Sequence, residues 1–329
     1  MSLLSEYLSP SRKTRTHRKE TLSISRHVSG LDGPVELRRV AGGYLQVWPR
    51  PSPEFVRALY RDDFYEDDKA SYLSDKERDL AYWNATWSMR RKLMESALAP
   101  SRRKFLDVGS GGGFLLDHFQ KNGWQGVGIE PSNRAAAWAR KKFDLEIFSG
   151  ELLDYTLEPS EGSTATPHSS TRKFDAIHSS QVIEHVLDPE ACIARIAELL
   201  AADGVAYIEV PNEFNTFQET ARERLGTHAW WVAPRHHLNY FNFETLAGLL
   251  ERHGLVEIDR LSSFPIEMFL LMGDDYVGHP EVGTRCHARR MSFEQSLIET
   301  DRVDELLRLY RAFAQAGVGR TCGILARKR

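Results

Sequence analysis

Cysteine is scarce in this chain of 329 residues: Cys192, Cys286 and Cys322 are far apart and fall outside any C-x-x-C spacing. That excludes a disulfide framework and a cysteine-built zinc site, and leaves Cys192 as a packed helical residue. Long apolar runs are missing too. No stretch of 18 or more apolar residues appears, and Met1-Ser-Leu-Leu-Ser-Glu lacks the charged and apolar regions of a secretory signal. A cytoplasmic protein is the expectation. An excess of charge is also absent: 43 Lys and Arg stand against 46 Asp and Glu, a net charge of −3. Nothing in that balance points to nucleic acid or an anionic membrane, so small-molecule partners are favoured. With 41% hydrophobic and 27% charged residues, the composition is that of an ordinary globular chain.

What is present divides the chain into three. Arg12, Lys13, Arg15, Arg18 and Lys19 lie among Ser and Thr with little apolar periodicity, so residues 1–34 read as a basic flexible arm. The alternation Val35, Leu37, Val40, Tyr44, Leu45, Val47 predicts short strands, ended by Pro49, Pro51 and Pro53. Apolar and aromatic residues at helical spacing from Glu54 to Leu98 predict helices, which makes 35–100 an N-terminal strand and helix cap. The acidic run Asp62, Asp63, Glu66, Asp67, Asp68 reads as a solvated face of that cap.

Residues 101–329 alternate between strand and helix patterns. Strands are predicted at 105–109, 126–130, 145–148, 174–178, 205–210 and 255–259, with Gly323-Ile-Leu-Ala-Arg completing the sheet. Helices start at Gly113, after the N-cap Ser132, after Asp188-Pro189 and at 243. The first stops at Asn122-Gly123 and the third at Gly204. Residues 158–173, rich in Ser, Thr, Pro and Gly, read as an inserted surface loop, and 262–317 as a substrate-side insertion. This pattern predicts a Rossmann-like α/β fold: a doubly wound, mostly parallel, seven-stranded sheet with its crevice at the carboxyl ends of the strands. Gly109, Glu130, Gly150 and Ser179 all fall at such ends.

The strongest local signal is Phe105-Leu-Asp-Val-Gly-Ser-Gly-Gly-Gly113 followed by Gly126-Val-Gly-Ile-Glu130. Glycines there permit positive φ and close backbone approach, while a carboxylate at the next strand tip, about 20 positions after Asp107, suits both hydroxyls of a ribose. A dinucleotide fingerprint on Gly109 and Gly111 needs Gly or Ala at 114, and Phe114 stands there.

The run Asp107-x-Gly109-x-Gly111-x-Gly113 resembles motif I of class I S-adenosylmethionine-dependent methyltransferases. Two further blocks, Phe174-Asp-Ala-Ile-His-Ser-Ser-Gln-Val-Ile-Glu-His-Val-Leu-Asp-Pro189 and Pro234-Arg-His-His-Leu-Asn-Tyr-Phe-Asn-Phe-Glu-Thr-Leu246, resemble the branch with ubiquinone-type and sugar or polysaccharide-biosynthesis O-methyltransferases. The resemblance implies S-adenosyl-L-methionine as cofactor. It implies that Asp107, Gly109, Ser110, Gly111 and Gly113 surround the methionine moiety, that Glu130, followed by Pro131, takes the ribose, and that Glu151 and Leu152 after Gly150 border the adenine. Ser179, Ser180, Gln181 and Val182 then line the cofactor near its methyl group. Related enzymes often carry a four-cysteine zinc ribbon before a segment like Leu45-Gln-Val-Trp-Pro-Arg-Pro-Ser-Pro-Glu54; no cysteine precedes it here, so structural zinc is not expected.

Methyl transfer to a hydroxyl requires positioning and loss of a proton, and histidine suits the latter near neutral pH. His185, His236 and His237 are the candidate bases, His237 by its match to a His-x-x-x-Phe pattern. Glu184 and His185 also resemble part of the metal site of certain small-RNA and ubiquinone-pathway O-methyltransferases, whose pattern has a glutamate where Gln181 stands. A neutral amide is a poorer ligand for a hard cation, and no metal is expected. Trp230, Trp231, Tyr240 and Tyr276 are candidates for stacking on a ring, although such spacings are more often core. The expected acceptor is a sugar, nucleotide sugar or other small biosynthetic intermediate. N-methylation of an amino sugar or small amine, or a non-catalytic cofactor-binding scaffold or sensor, are the alternatives.

Overall fold

The computed structural model describes residues 21–27, 34–61, 71–157 and 173–329. The acidic run at 62–68 and nearly all of the inserted loop lie outside these residues. Within the expected basic arm, Thr21–His27 form strand β1, antiparallel to β2 (Pro34–Arg39). β3 (Leu45–Trp48) follows, then helices α1 (Pro53–Ala58), α2 (Tyr72–Arg78) and α3 (Leu80–Ser96).

The main unit begins with β4 (Lys104–Val108), α4 (Phe114–Lys121), β5 (Gln125–Glu130), α5 (Asn133–Phe143), β6 (Ile147–Ser149) and β7 (Phe174–Ser180). It continues through α6 (Pro189–Leu199), β8 (Leu200–Pro211), α7 (Thr216–Leu225), β9 (Asn239–Tyr240), α8 (Phe243–Arg252) and β10 (Leu255–Ser262). Helices α9 (Glu267–Leu271), α10 (Pro280–Glu299) and α11 (Val303–Gln315) fill the insertion before β11 (Thr321–Lys328).

The large sheet has the order β10-β11-β8-β7-β4-β5-β6. β8, β7, β4, β5 and β6 run parallel, and β11 enters antiparallel between β8 and β10. The last strand is therefore internal, in keeping with the buried run Cys322 to Ala326. Two hydrophobic clusters cover the sheet, one gathered around Ile177, Ile193 and Leu246, the other around Phe105, Phe119 and Tyr207. From β4 the chain winds outward to β5 and β6, then returns to place β7 on the other side of β4. That reversal opens a crevice at the carboxyl end of β4, where ligands of such sheets bind.

Capping follows the sequence closely. The Ser132 and Asp188 side chains accept from the amides of Ala135 and Ala191, opening α5 and α6. Gly204 is not the end of α6: the helix stops at Leu199, and β8 starts at Leu200. The third strand starts later than its apolar pattern indicates, at Ile147 rather than Leu145, because buried Leu145 packs against the helices while β6 pairs with β5 from Ile147. Cys192 is buried in α6 as expected.

A second sheet, β1-β2-β3-β9, joins the N-terminal strands to the chain that follows the histidine pair. Leu45 and Gln46 pair with Tyr240 and Asn239, and the Val47 amide donates to the Leu238 carbonyl at 3.0 Å. Its core is Val35, Leu37, Leu45, Val47 and Tyr240. This sheet keeps its shape by strand pairing and apolar packing where cysteine ligands do not occur.

Candidate active site

β4 ends at Val108, and the chain turns through Gly109, Gly111 and Gly113 at φ of 74°, 54° and 73°. L side chains rarely adopt such angles. The amides of Gly109 and Ser110 both donate to the Ile129 carbonyl, at 2.9 and 3.0 Å, which ties the turn to β5. A Cβ on Gly109 would overlap Cγ2 of Val182, so this glycine admits the chain that follows β7. A Cβ on Gly113 would lie 2.5 Å from Leu145 and 3.0 Å from Ala139. Gly113 thus provides the close packing that position 114 provides in a dinucleotide fingerprint, and Phe114 is free to join Trp87, Trp138 and Phe143.

Glu130 closes the turn from the β5 tip. Its carboxylate accepts from the amides of Gly111 at 2.7 Å and Ser132 at 2.8 Å. Burial raises its pKa to about 7, against the two amide bonds, and Asp107 adds to the rise. A carboxylate has about four acceptor sites, so capacity remains for a diol. Pro131 links it to the Ser132 cap, and the Gly150 amide donates to the Glu130 carbonyl at 3.1 Å. Next to it, Glu151 pairs with Arg57 at 3.2 Å on the surface, while Leu152 is buried in a short 3-10 turn.

Asp107 faces inward. Its Oδ1 lies 2.9 Å from Nδ1 of His178 on β7, and Nε2 of that ring is 3.3 Å from Arg90 of α3. Arg90 also bonds Glu209 of β8, which takes the hydroxyls of Ser180 at 2.8 Å and Tyr207 at 3.1 Å. Glu209 is held below the usual carboxylate range because Arg90 and Ser180 outweigh its burial. The network braces the tips of β4, β7 and β8. Sequence reading missed His178, Arg90 and Glu209, whose partners are remote in the chain. The hydroxyls of Ser110 and Ser179 are buried with no protein partner among the described residues.

After β7, Gln181 adopts a φ of 59° and its amide donates to the Glu209 carbonyl at 2.9 Å. The chain then presents Glu184 and His185 in a loop rather than a helix. Nδ1 of His185 lies 2.8 Å from the His236 carbonyl and 2.8 Å from the Tyr60 hydroxyl. A carbonyl only accepts, so Nδ1 carries the hydrogen and Nε2, 3.4 Å from Oε1 of Glu184, offers a lone pair. Burial, with His237 beside it, lowers the His185 pKa to about 3, so the ring is neutral at pH 7. His237 is also lowered, by burial, and its Nδ1 lies 2.8 Å from Oε1 of Glu213.

Glu184 is fully buried, both of its oxygens are without hydrogen-bond partners among the described residues, and burial pushes its pKa up to about 8. Glu184, His185 and His237 offer ligand atoms that lie within 4.8 Å of one another. The sequence treated His185 and His237 as alternative bases; the structure brings them together on one carboxylate. His236 contributes its carbonyl, through His185. The loops are joined by Leu238 and Asn239, whose amides both donate to the Glu184 carbonyl, at 2.7 and 3.0 Å, and by Nδ2 of Asn239, which donates to Val186 at 2.7 Å. Of the four aromatic candidates, Trp231 and Tyr240 are buried, while Trp230 and Tyr276 are half-buried.

A glycine turn, a strand-tip acid and a crevice at the sheet reversal define a class I methyltransferase. The methyltransferase domain family matches residues 82–259, more than half of the chain, and the chain belongs to this family, with S-adenosylmethionine as cofactor. It is 31% identical over 166 residues to the mitochondrial ubiquinone biosynthesis O-methyltransferase of Homo sapiens, covering 46% of this chain and 41% of that protein. The corresponding enzyme of Rhodopseudomonas palustris is 29% identical over 164 residues, 46% of this chain and 61% of that protein. The chain spans about half the length of the curated relatives it matches. Magnesium protoporphyrin IX methyltransferase of Synechocystis PCC 6803, solved with bound SAH, shares the fold at a TM-score of 0.50 and 11% identity, over 82% of this chain and 98% of that one. Among the described residues no helix is long and apolar enough to cross a membrane.

Proposed function

We propose that the protein transfers the methyl group of S-adenosylmethionine to a hydroxyl of a small biosynthetic intermediate, a sugar, nucleotide sugar or other hydroxylated ring. The observation that carries this reading is the meeting of Glu184, His185 and His237 beyond the β7 tip. The glycine turn and Glu130 seat the adenosyl part of the cofactor. Ser179, Ser180 and Gln181 line the arm that carries the sulfonium. An acceptor hydroxyl set in line at about 3 Å from the methyl gains most of its rate from position. The names of the curated relatives, ubiquinone biosynthesis O-methyltransferases, support an oxygen acceptor.

The acceptor proton leaves toward Glu184, His185 and His237. A buried carboxyl with unpartnered oxygens beside two neutral imidazoles fits a divalent cation of the borderline class, with a position left for substrate oxygen. Bound by these three residues, the ion would lower the pKa of the acceptor hydroxyl. Without it, His237, backed by Glu213, is the base. A second reading, N-methylation of an amine, is favoured by one observation: two buried carboxyls, Glu184 and Glu213, flank His237.

The test is a panel of sugars, nucleotide sugars, catechols and amines with methyl-labelled S-adenosylmethionine, with and without added divalent cation. Label on oxygen of one acceptor class, lost in Glu184→Gln, is the expected result. Label on nitrogen alone would replace the first reading with the second.

A further inference from the structure

Two side chains of the N-terminal cap reach the loops that carry the histidines. Arg50, in the segment between β3 and α1, donates to the carbonyls of Leu187 and Leu238, the second at 2.9 Å. Its guanidinium therefore ties the loop after β7 to the chain that leads into β9. Helix α1 follows. Its Ser52 cap accepts from the Phe55 amide at 3.1 Å, Arg57 pairs with Glu151 at 3.2 Å on the surface, and Leu59 is buried at its end. Tyr60, in the turn that continues the helix, lies half-buried against His185, with the two rings 5.2 Å apart.

The Tyr60 hydroxyl completes a triangle of three polar atoms. It donates to the His236 carbonyl at 3.2 Å, and its oxygen lies 2.8 Å from Nδ1 of His185, which is itself 2.8 Å from that carbonyl. The carbonyl can only accept, and the Tyr60 hydrogen is directed to it, so both oxygens offer lone pairs to a hydrogen on Nδ1. A competitor stands at the other ring nitrogen. Oε1 of Glu184 is 3.4 Å from Nε2 and, with no hydrogen-bond partner of its own among the described residues, would accept a hydrogen there. The ring thus has two tautomers: one keeps the Nε2 lone pair in the group formed with Glu184 and His237, the other covers it with a hydrogen. Two oxygens at 2.8 Å outweigh one at 3.4 Å, which lies beyond the usual range of an N–H···O bond.

We propose that Tyr60 is a positioning residue for methyl transfer: it keeps the His185 hydrogen on Nδ1 and so leaves the Nε2 lone pair available to an acceptor proton or a bound cation. The inference rests on the reading that Glu184, His185 and His237 receive that proton or ion. It makes the N-terminal cap part of the reacting site. Without the hydroxyl, the His236 carbonyl alone opposes Glu184, and the ring divides between its two tautomers. A phenylalanine at this position keeps the contact between the rings and removes only the second oxygen.

The first readout needs neither metal nor turnover. In chelator near neutral pH, with histidine labelled on its ring nitrogens and the His185 signals assigned by their loss in His185→Asn, nuclear magnetic resonance should show the wild-type hydrogen on Nδ1 alone. Tyr60→Phe should show both tautomers. A wild-type hydrogen on Nε2 overturns the proposal without any variant having to fold, and so does a Tyr60→Phe spectrum that still places it on Nδ1 alone. The second readout is manganese affinity, measured by calorimetry on the whole chain, which Tyr60→Phe should weaken about tenfold while S-adenosylhomocysteine binds as tightly as before. A variant that weakens both ligands alike marks Tyr60 as a packing residue and overturns the positioning role, as does one that keeps wild-type manganese affinity. Wild-type protein that binds no manganese removes the cation from the underlying reading and leaves the tautomer to decide for Tyr60.

Discussion

Nδ1 of His237 lies 2.8 Å from Oε1 of Glu213, a buried carboxyl some two dozen residues earlier in the chain. That contact engages one ring nitrogen and leaves Nε2 as the atom available to Glu184 and His185. Burial pushes the Glu213 pKa well above the usual carboxylate range and lowers that of His237; when ionised, Glu213 would accept from Nδ1–H and fix the orientation of the ring. Glu213 lies two residues beyond the end of β8 and His237 two residues before β9, so the pairing joins the two sheets at the site.

Dialysed against manganese or zinc and measured by elemental analysis, the protein should retain about one ion per chain. Glu184→Gln and His237→Ala should lose it. Glu213→Gln should weaken binding about 10- to 100-fold, because it touches the metal site only through His237. Wild-type protein that retains no more metal than Glu184→Gln would reject the cation and leave His237 as the base.

Stability should depend on pH through Glu184. Its folded pKa of about 8 lies above the ordinary 4.5, so the stability linked to its protonated form is whole below 4.5 and drains away as pH rises through 8. His185, lowered to about 3, acts with the opposite sign but is common to both proteins being compared. In chelator, the melting temperature of wild type relative to Glu184→Gln should therefore fall between pH 5 and pH 8. A constant offset across that range would show that Glu184 is already ionised and partnered.

Cofactor affinity should rise with pH. The Glu130 pKa of about 7 belongs to the ligand-free site, and ribose hydroxyls donate to its ionised form. S-adenosylhomocysteine should bind more tightly at pH 8 than at pH 6, and Glu130→Ala should cost about 1.5–3 kcal/mol and remove the slope. A slope that survives the substitution belongs to another group.

Gly109→Ala tests the turn. The new methyl meets Val182 and stands at a φ of 74°, two separate penalties. Together they should destabilise the chain by about 2–4 kcal/mol in urea melts. Adding Val182→Ala should recover the steric part and leave about 1–2 kcal/mol from the backbone. Full recovery would mean that the angle carries no cost here.

Much of this architecture could be read from the chain because the signals are local. The apolar runs of β4 and β5, the Ser132 and Asp188 caps and the glycine turn each depend on neighbours within a few residues. The misplaced ends have a common cause. Leu145 is apolar enough for a strand but packs between helices, and Gly204 reads as a helix stop although the strand has already begun. Glu213 and Arg90 carried no local signal, since a charged residue outside any motif reads as surface until its partner is known.

By itself the sequence determined the parallel sheet, the glycine turn and the acid that faces it, since hydrophobic period and backbone freedom act over a few residues. Tertiary structure alone decided that His185 and His237 share one buried carboxyl and that Glu213 stands behind the second ring. Those groups lie up to 53 positions apart, from Glu184 to His237. Their convergence depends on Leu238 and Asn239 bonding the Glu184 carbonyl, contacts that appear only after the sheets have packed.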